Sequence, residues 1–355
     1  MNADELTPST LTSFTASDGE NLAVQDWPLP EGEPCRGTVL LVHGLGEHVG
    51  RYDAVARRLN DWGFAVRGYD QYGHGESGGP RGGLTSDLRL LDDLADLVDA
   101  TRARMPAGQP LVLLGHSMGG LVASRFVSLK IRPVDALVLS SPALDAGLGA
   151  VQKLLLATLP RIAPNLRVGN GLDAQYLSHD PAVVAAYLAD PLCHDRISAR
   201  LARFIANGGP ATVARAAHWS VPTLLMWAGS DKLVHPAGSR AFAAAAPKAV
   251  VHAHCFEPLF HELFNESPEL AEPVFDLLQQ WLVRRDRCAD RVDHRVDGGG
   301  FHPHPVARTG GVGGLHAGHG AGDLEPVAQF ALDHRRGDDL ALALLEQQDG
   351  HALAD

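Results

Sequence analysis

The sequence predicts an α/β fold: a mostly parallel central sheet flanked by helices, with a helical cap inserted into it. Three observations carry that expectation. Short apolar runs alternate with amphipathic stretches from residue 37 onward, the alternation stops near Leu144, and it resumes at Thr223. Strictly alternating strands and helices imply parallel strands joined by crossover helices on both faces.

The elements follow in order. Residues 37–44, G-T-V-L-L-V-H-G, form an apolar run ending in glycine and read as a buried strand. Over 52–62, Val55, Leu59 and Trp62 recur at helical spacing. Phe64 to Asp70 is a second strand, followed by a glycine-rich loop at 73–83. Thr85 or Ser86 can cap the next helix, whose apolar face would hold Leu88, Leu91, Leu94, Leu97 and Val98. Leu111 to Leu114 is a third strand, 118–129 a helix and Ala136 to Leu139 a fourth strand. Residues 144–219 contain helical stretches and no convincing strand. Strands return at Thr223 to Trp227 and Ala249 to Phe256, before a helix from Pro268 to about Arg284. The expected organisation is one domain over 1–284, with a cap inserted at about 144–219, and a tail over 285–355. The tail is rich in glycine, holds seven of the chain's 18 histidines and lacks lysine. It has too little apolar content to offset its ordering entropy and is expected to be disordered. Its histidines are irregularly spaced, which does not favour metal capture.

Composition excludes some functions. The 355 residues carry a net charge of -12, which argues against binding nucleic acid. The four cysteines, Cys35, Cys193, Cys255 and Cys288, form no C-x-x-C pair, so no zinc site is expected. Free thiols in a reducing, cytoplasmic compartment are expected. The acidic N-terminus has no apolar h-region, so no secretory signal is expected, and no apolar run of about 18 residues suggests a membrane span.

The chemistry is concentrated in short motifs. Gly115-His116-Ser117-Met118-Gly119 is a G-x-S-x-G motif placed between a strand and a helix, the context of a nucleophile elbow. The turn strains the serine backbone and leaves room only for glycine two residues either side. A serine hydroxyl needs a base within hydrogen-bond reach and an acid to orient that base. In the chain order serine, acid, histidine, the acid is Asp231, just past the strand at 223–227, with Asp145 as competitor. His261 follows the last strand and precedes the last helix, as the base should. His252 and His254 lie inside that strand and read as structural, and His43 and His116 as loop-orienting residues. Charge developing on a substrate carbonyl oxygen needs two N–H donors, for which Met118 and Leu45 are the candidates.

Taken together, these segments resemble the monoacylglycerol lipase family of α/β-hydrolases, whose members are also described as lysophospholipases. The resemblance rests on H-G-L-G-E-H-V-G-R-Y at 43–52, G-H-G-E-S-G-G-P-R-G at 73–82, G-H-S-M-G-G at 115–120 and S-S-P-A-L at 140–144. It continues through D-P-L at 190–192, G-S-D-K-L-V at 229–234 and F-H-E-L-F-N-E at 260–266. It covers about residues 10–284 and implies the triad Ser117, Asp231 and His261, with Leu45 and Met118 as oxyanion donors. It also places Glu47 and Arg51 near the glycerol end of a substrate pocket. A salt bridge that shapes the loop is the competing account of that pair. Pro258 stands where the family pattern has glycine, which implies a stiffer histidine loop.

The implied activity is hydrolysis of a lipid ester, monoacylglycerol first, through an acyl-enzyme and with no cofactor. Lysophospholipase, thioesterase and carboxylesterase activities would use the same triad. A peptidase fits less well, because no acidic pair for an amino terminus is evident, and a non-catalytic binding module would usually have lost a triad member. Within the cap, Leu148, Val151, Leu154, Leu155 and Leu159 lie on one helical face. That face either packs on the main domain or makes transient contact with a membrane surface, so a peripheral location is an expectation alongside the cytoplasmic one.

Overall fold

A hairpin precedes the parallel strands. Thr10–Thr15 (β1) pairs antiparallel with Asn21–Trp27 (β2), which pairs antiparallel with Phe64–Tyr69 (β4). The computed structural model describes residues 7–147 and 157–296, with side chains to residue 284. Gly37–Val42 (β3), β4, Leu111–His116 (β5), Ala136–Ser140 (β6), Thr223–Ala228 (β9) and Val251–Phe256 (β10) are mutually parallel. The eight-stranded sheet has the order β1-β2-β4-β3-β5-β6-β9-β10.

Helices cover both faces, as the unbroken apolar strands require. Every residue of β3 is buried. Val39 and Leu41 point into a core with Val55 and Leu59 of α1 (Asp53–Asp61) and Val274 and Leu278 of α7 (Pro268–Val296). Leu40 and Val42 point the other way, toward Leu94 of α2 (Arg89–Arg102) and Leu121 and Phe126 of α3 (Ser117–Ser128). Phe242 of α6 (Ala237–Ala245) joins this second core. The period of two along one strand thus assigns each side chain to one of two cores.

Between β6 and β9 lies the insertion. It contains Arg167–Gly169 (β7), Pro181–Ala189 (α4), Arg196–Ser198 (β8) and Ala199–Val213 (α5). Asp180 caps α4 by accepting the Ala182 N–H, with Pro181 at the first helical position. Ser198 caps α5 through the Leu201 N–H. β7 and β8 pair antiparallel with each other, where the sequence predicts no strand. Two three-residue strands are too short to register as a periodicity.

The second helix also begins later than predicted. α2 starts at Arg89, and Leu88 is outside it and 57% exposed. Neither Thr85 nor Ser86 caps it. The buried Arg89 guanidinium anchors its first turn instead, on Asp93 at 2.8 Å and on Asp18. The last helix runs past Arg284 to Val296, so the boundary predicted at 284–285 falls inside a helix. Residues 297–355, with their predicted disorder, lie outside the described residues, as do Leu148, Val151, Leu154 and Leu155. Leu159 is half-buried in a helical stretch over 157–162. Cys35, Cys193 and Cys255 are free thiols. Among the described residues, no helix is long and apolar enough to cross a membrane.

Candidate active site

The loops that follow β3, β5, β9 and β10 leave the carboxyl edge of the sheet, where open α/β sheets bind ligands. They carry Leu45, Ser117, Asp231 and His261 respectively. Ser117 is the first residue of α3, directly after β5, and its φ is +53°. That left-handed conformation is rare for a side-chain-bearing residue and typical of functional strain. The turn is tight because strand and helix nearly touch. A Cβ at Gly115 would lie 2.5 Å from the Gly119 carbonyl oxygen, and one at Gly119 would lie 2.0 Å from that of Val42.

The structure brings Ser117, His261 and Asp231 together. His261 Nε2 is 2.8 Å from Ser117 Oγ, and its Nδ1 is 2.7 Å from Asp231 Oδ2. Asp231 Oδ1 accepts the N–H groups of Leu233 and Val234, both at 2.9 Å. Burial works against ionising Asp231, but the His261 contact and those two N–H groups outweigh it and lower its pKa. An ionised Asp231 only accepts, so Nδ1 of His261 carries the proton and Nε2 is free to accept from Ser117. Burial likewise opposes charging His261, yet the Asp231 charge and hydrogen bond raise its pKa above the ordinary histidine value. Asp145 is apart from this arrangement: it is half-buried, 3.8 Å from His235, and its Oδ1 accepts the Gly147 N–H at the start of the insertion.

The oxyanion loop is tied down on several sides. His43 Nε2 accepts the Gln71 N–H at 2.9 Å, and Gln71 Nε2 donates to the His43 carbonyl at 2.7 Å. Met118 N–H is in the first turn of α3, where helix N–H groups lack intrahelical acceptors. The Gly44 N–H is already engaged by Glu47 Oε1 at 2.5 Å, and Leu45 beside it lines the cavity over Ser117. His116 packs its ring 4.8 Å from that of His261 and contacts Ser140 Oγ at 3.2 Å. Burial, then the nearby His261, push its pKa down to about 4, so it stays neutral beside the base. His252 and His254 lie in β10.

Glu47 and Arg51 are joined to each other. Arg51 Nη1 donates to Glu47 Oε2 at 2.6 Å, and Tyr52 Oη donates to Glu47 Oε1 at 2.8 Å. Arg51 also grips Glu262, the residue after His261, at 2.7 and 2.8 Å. Pro258 sits in a turn closed by the Leu259 N–H on the Phe256 carbonyl. Beyond it the histidine loop is held by Phe260 N–H on Glu266 Oε1 at 2.7 Å and by Glu262 N–H on the Leu177 carbonyl at 2.8 Å.

A cavity of about 30 Å³, room for about one water, lies over Ser117, lined in part by Leu45, Leu172, Leu177 and Leu233. A neighbouring groove of about 860 Å³ shares Leu172, Ala174 and Tyr187 with it and is edged by Asp173, Asp190 and Asp195. Sequence reasoning missed the lining residues of the insertion and missed Glu262. Leu172, Ala174, Leu177 and Tyr187 lie outside the one helical face that the insertion's sequence marks, and an acidic residue beside a histidine gives almost no signal for Glu262.

A strained elbow serine, a histidine in contact with it and a buried aspartate behind the histidine define a serine hydrolase on an α/β sheet. The comparisons with known proteins refine that class. A family model described as serine aminopeptidase, S33, matches residues 33–268. The monoacylglycerol lipase of Mycolicibacterium smegmatis is 36% identical over 274 residues, which span 76% of this chain and 96% of that protein. Phospholipase YtpA of Bacillus subtilis is 34% identical over 242 residues, 67% of this chain and 91% of that one. The crystal structure of Paleococcus ferrophilus monoacylglycerol lipase superposes with a TM-score of 0.65 at 31% identity, covering 78% of this chain and 99% of its own. The chain belongs to the S33 family of α/β-hydrolases, among its monoacylglycerol-lipase-like members, and is an ester hydrolase.

Proposed function

We propose that this enzyme hydrolyses monoacylglycerol to fatty acid and glycerol, through an acyl-enzyme on Ser117. His261 takes the Ser117 proton as Oγ attacks the ester carbonyl. The tetrahedral oxyanion is met by the N–H groups of Met118 and Leu45. The imidazolium is stabilised by Asp231 and gives its proton to the departing glycerol oxygen. Water then repeats the sequence on the acyl-enzyme. The observation that carries this reading is the continuous hydrogen-bonded path Ser117–His261–Asp231 at 2.8 and 2.7 Å.

The substrate class draws support from the relatives' names and from the lining. Leucines from three loops surround Ser117, which suits an acyl chain. Each buried methylene contributes about 0.8 kcal/mol. The cavity is far smaller than the roughly 300–1,000 Å³ of ligand pockets, so the acyl chain enters by displacing the cap, and the adjoining groove is left to the headgroup. Asp173, Asp190 and Asp195 edge that groove, and they favour a neutral headgroup over a phosphate. Aminopeptidase activity, the family's descriptive name, needs a carboxylate free to meet an amino terminus. The two that line the cavity over Ser117, Glu47 and Glu262, are both bound to Arg51, and Asp173, Asp190 and Asp195 line only the adjoining groove.

The cap also offers a surface for lipid. Ile162 is 83% exposed and Leu188 70%, with Leu166, Val168 and Leu172 exposed in the same insertion. Such residues support transient contact with a micelle or membrane from which the substrate is drawn.

The test is turnover of mono- and triacylglycerol of one chain length, with lysophosphatidylcholine alongside and Ser117→Ala as the blank. Monoacylglycerol is expected to turn over fastest, and Ser117→Ala to lose about 10⁶-fold. Preference for triacylglycerol or for lysophosphatidylcholine would overturn the substrate reading.

A further inference from the structure

Three parts of the site converge on one guanidinium. Arg51 lies in the turn Val49–Tyr52 that follows the oxyanion loop, and its side chain is 11% exposed. On one side it holds Glu47, whose other oxygen accepts the Gly44 N–H next to Leu45. On the other it holds both oxygens of Glu262, which adjoins His261 in the chain. Glu262 Oε2 also accepts from Asn265 Nδ2 at 2.9 Å. From the cap, the Tyr187 ring packs 5.0 Å from the Arg51 guanidinium, while its hydroxyl donates to the Gly46 carbonyl at 3.2 Å. An unbroken path therefore runs from the oxyanion loop to the base: Gly44 N–H, Glu47, Arg51, Glu262, His261.

We infer that Arg51 and Glu262 are positioning residues, which set the spacing between the base-bearing loop and the oxyanion loop, Arg51 doing so from outside the cavity over Ser117. The inference rests on the ester-hydrolase reading of the same site. It replaces the glycerol-binding role that the sequence resemblance implies for Arg51. Arg51 is absent from the lining of the cavity over Ser117, and the described hydrogen bonds of its side chain go to the two carboxylates. A buried ion pair is weak evidence of a stability role, because a packed apolar replacement is often neutral. Its distinctive property is geometric, since a planar fork on a carboxylate fixes both distance and angle. What it fixes here is the relation between the atom that takes the proton and the donors that meet the oxyanion. Misplacing reacting groups by about 1 Å costs on the order of 100-fold in rate.

The charges give a second signature. His261 faces Asp231 from the loop after β9, Glu262 from its own loop, Glu47 from the oxyanion loop and the neutral His116 from β5. Glu262 and Glu47 both favour the protonated imidazole. Removing the Glu262 charge therefore lowers the pH at which His261 becomes a base.

Arg51→Lys, Glu262→Gln and the double variant test this, assayed on monoacylglycerol and on a p-nitrophenyl ester of the same acyl chain. Lysine keeps the charge of Arg51 and loses the fork. Each single variant is expected to lose about 10- to 100-fold in kcat, equally on both esters, with KM within about twofold. The double should lose no more than the worse single, because both act through one contact. In Glu262→Gln the acid limb of kcat/KM should move to lower pH, while in Arg51→Lys it stays. Should one variant fail to fold, the kcat and KM of the other decide. A loss confined to monoacylglycerol would restore a glycerol contact and overturn the inference. So would an unchanged kcat with a lowered melting temperature, or losses that multiply in the double. A parent active on the p-nitrophenyl ester but not on monoacylglycerol would remove the substrate reading alone, and the variants would still be judged on the aryl ester.

Discussion

Asp231→Asn should cripple turnover while leaving the fold intact, and the structure dictates how. Asp231 Oδ1 accepts two backbone N–H groups, from Leu233 and Val234. An asparagine there must keep its oxygen on those donors, because turning its NH₂ toward them would leave two N–H groups facing a donor. The NH₂ group is then aimed at His261 Nδ1, which sits 2.7 Å from the replaced oxygen. Nδ1 becomes an acceptor, the ring proton moves to Nε2, and Nε2 can no longer take the Ser117 proton. The wrong tautomer of a triad histidine lowers kcat by about 10⁴-fold, which corresponds to about 5.4 kcal/mol at 1.36 kcal/mol per decade. The assay is p-nitrophenyl ester hydrolysis under saturating substrate, with the melting temperature measured in parallel. Asp145→Asn serves as control, since Asp145 contacts His235 and the Gly147 N–H and no member of the triad. The control should stay within about twofold of the parent. Activity of Asp231→Asn within about tenfold of the parent, or a collapse of Asp145→Asn instead, would refute the tautomer argument.

Gly119→Ala should lower both activity and stability, because the new Cβ meets the Val42 and His43 carbonyl oxygens at 2.0 and 2.3 Å. Relieving that overlap forces α3 from β3, at about 1–3 kcal/mol or more of stability, and a normal melting curve with parental kcat would contradict it. The acid limb of kcat/KM should have an apparent pKa above about 6.5, the unperturbed histidine value, since the Asp231 contact raises that of His261 against burial. The stability contribution of the same group runs the other way. It is complete below about pH 6.5 and is lost as pH rises through the folded pKa, so denaturant titrations across this range should show it fading as activity appears. In Ile162→Ser with Leu188→Ser, turnover of monoacylglycerol in vesicles should fall at least tenfold, since burial of even one such side chain contributes about 1.5–3 kcal/mol. A water-soluble p-nitrophenyl ester should be unaffected, and equal losses on both would remove the cap from lipid contact.

The sequence made the sheet and the elbow legible for the same reason: both are dictated by short-range geometry. β3 reads as buried on both faces because Val39 to Val42 form an unbroken apolar run, and the structure divides those four between two cores. G-x-S-x-G reads as an elbow because Gly115 and Gly119 stand where a Cβ meets backbone. The β1–β2 hairpin was less legible because β1 is an exposed edge with no apolar alternation, although Asp18-Gly19 is a turn signal. Leu88 fell on the correct helical period yet outside the helix, since the anchor of α2 is the Arg89–Asp93 and Arg89–Asp18 pairing. Periodicity does not reveal that anchor.

Glu262 marks where such reading stops, and the reason is chain distance. Its partner Arg51 is 211 residues away, so no window on the sequence contains both. The resemblance could place Glu47 and Arg51 near the substrate but could not say what faces them. The folded chain supplies the missing carboxylate from the residue beside the base, and the loop-shaping salt bridge that the sequence offered beside a glycerol contact extends into a path between two loops. The same holds for Leu172, Leu177 and Tyr187, which reach the cavity from parts of the insertion outside the one helical face that its sequence marks. Residues whose role follows from their immediate neighbours are recoverable one motif at a time. Residues whose role is to relate two motifs become visible only when both motifs are in place. We infer that Arg51 and Glu262 are of that second kind, and small changes at either should act on kcat and not on substrate binding.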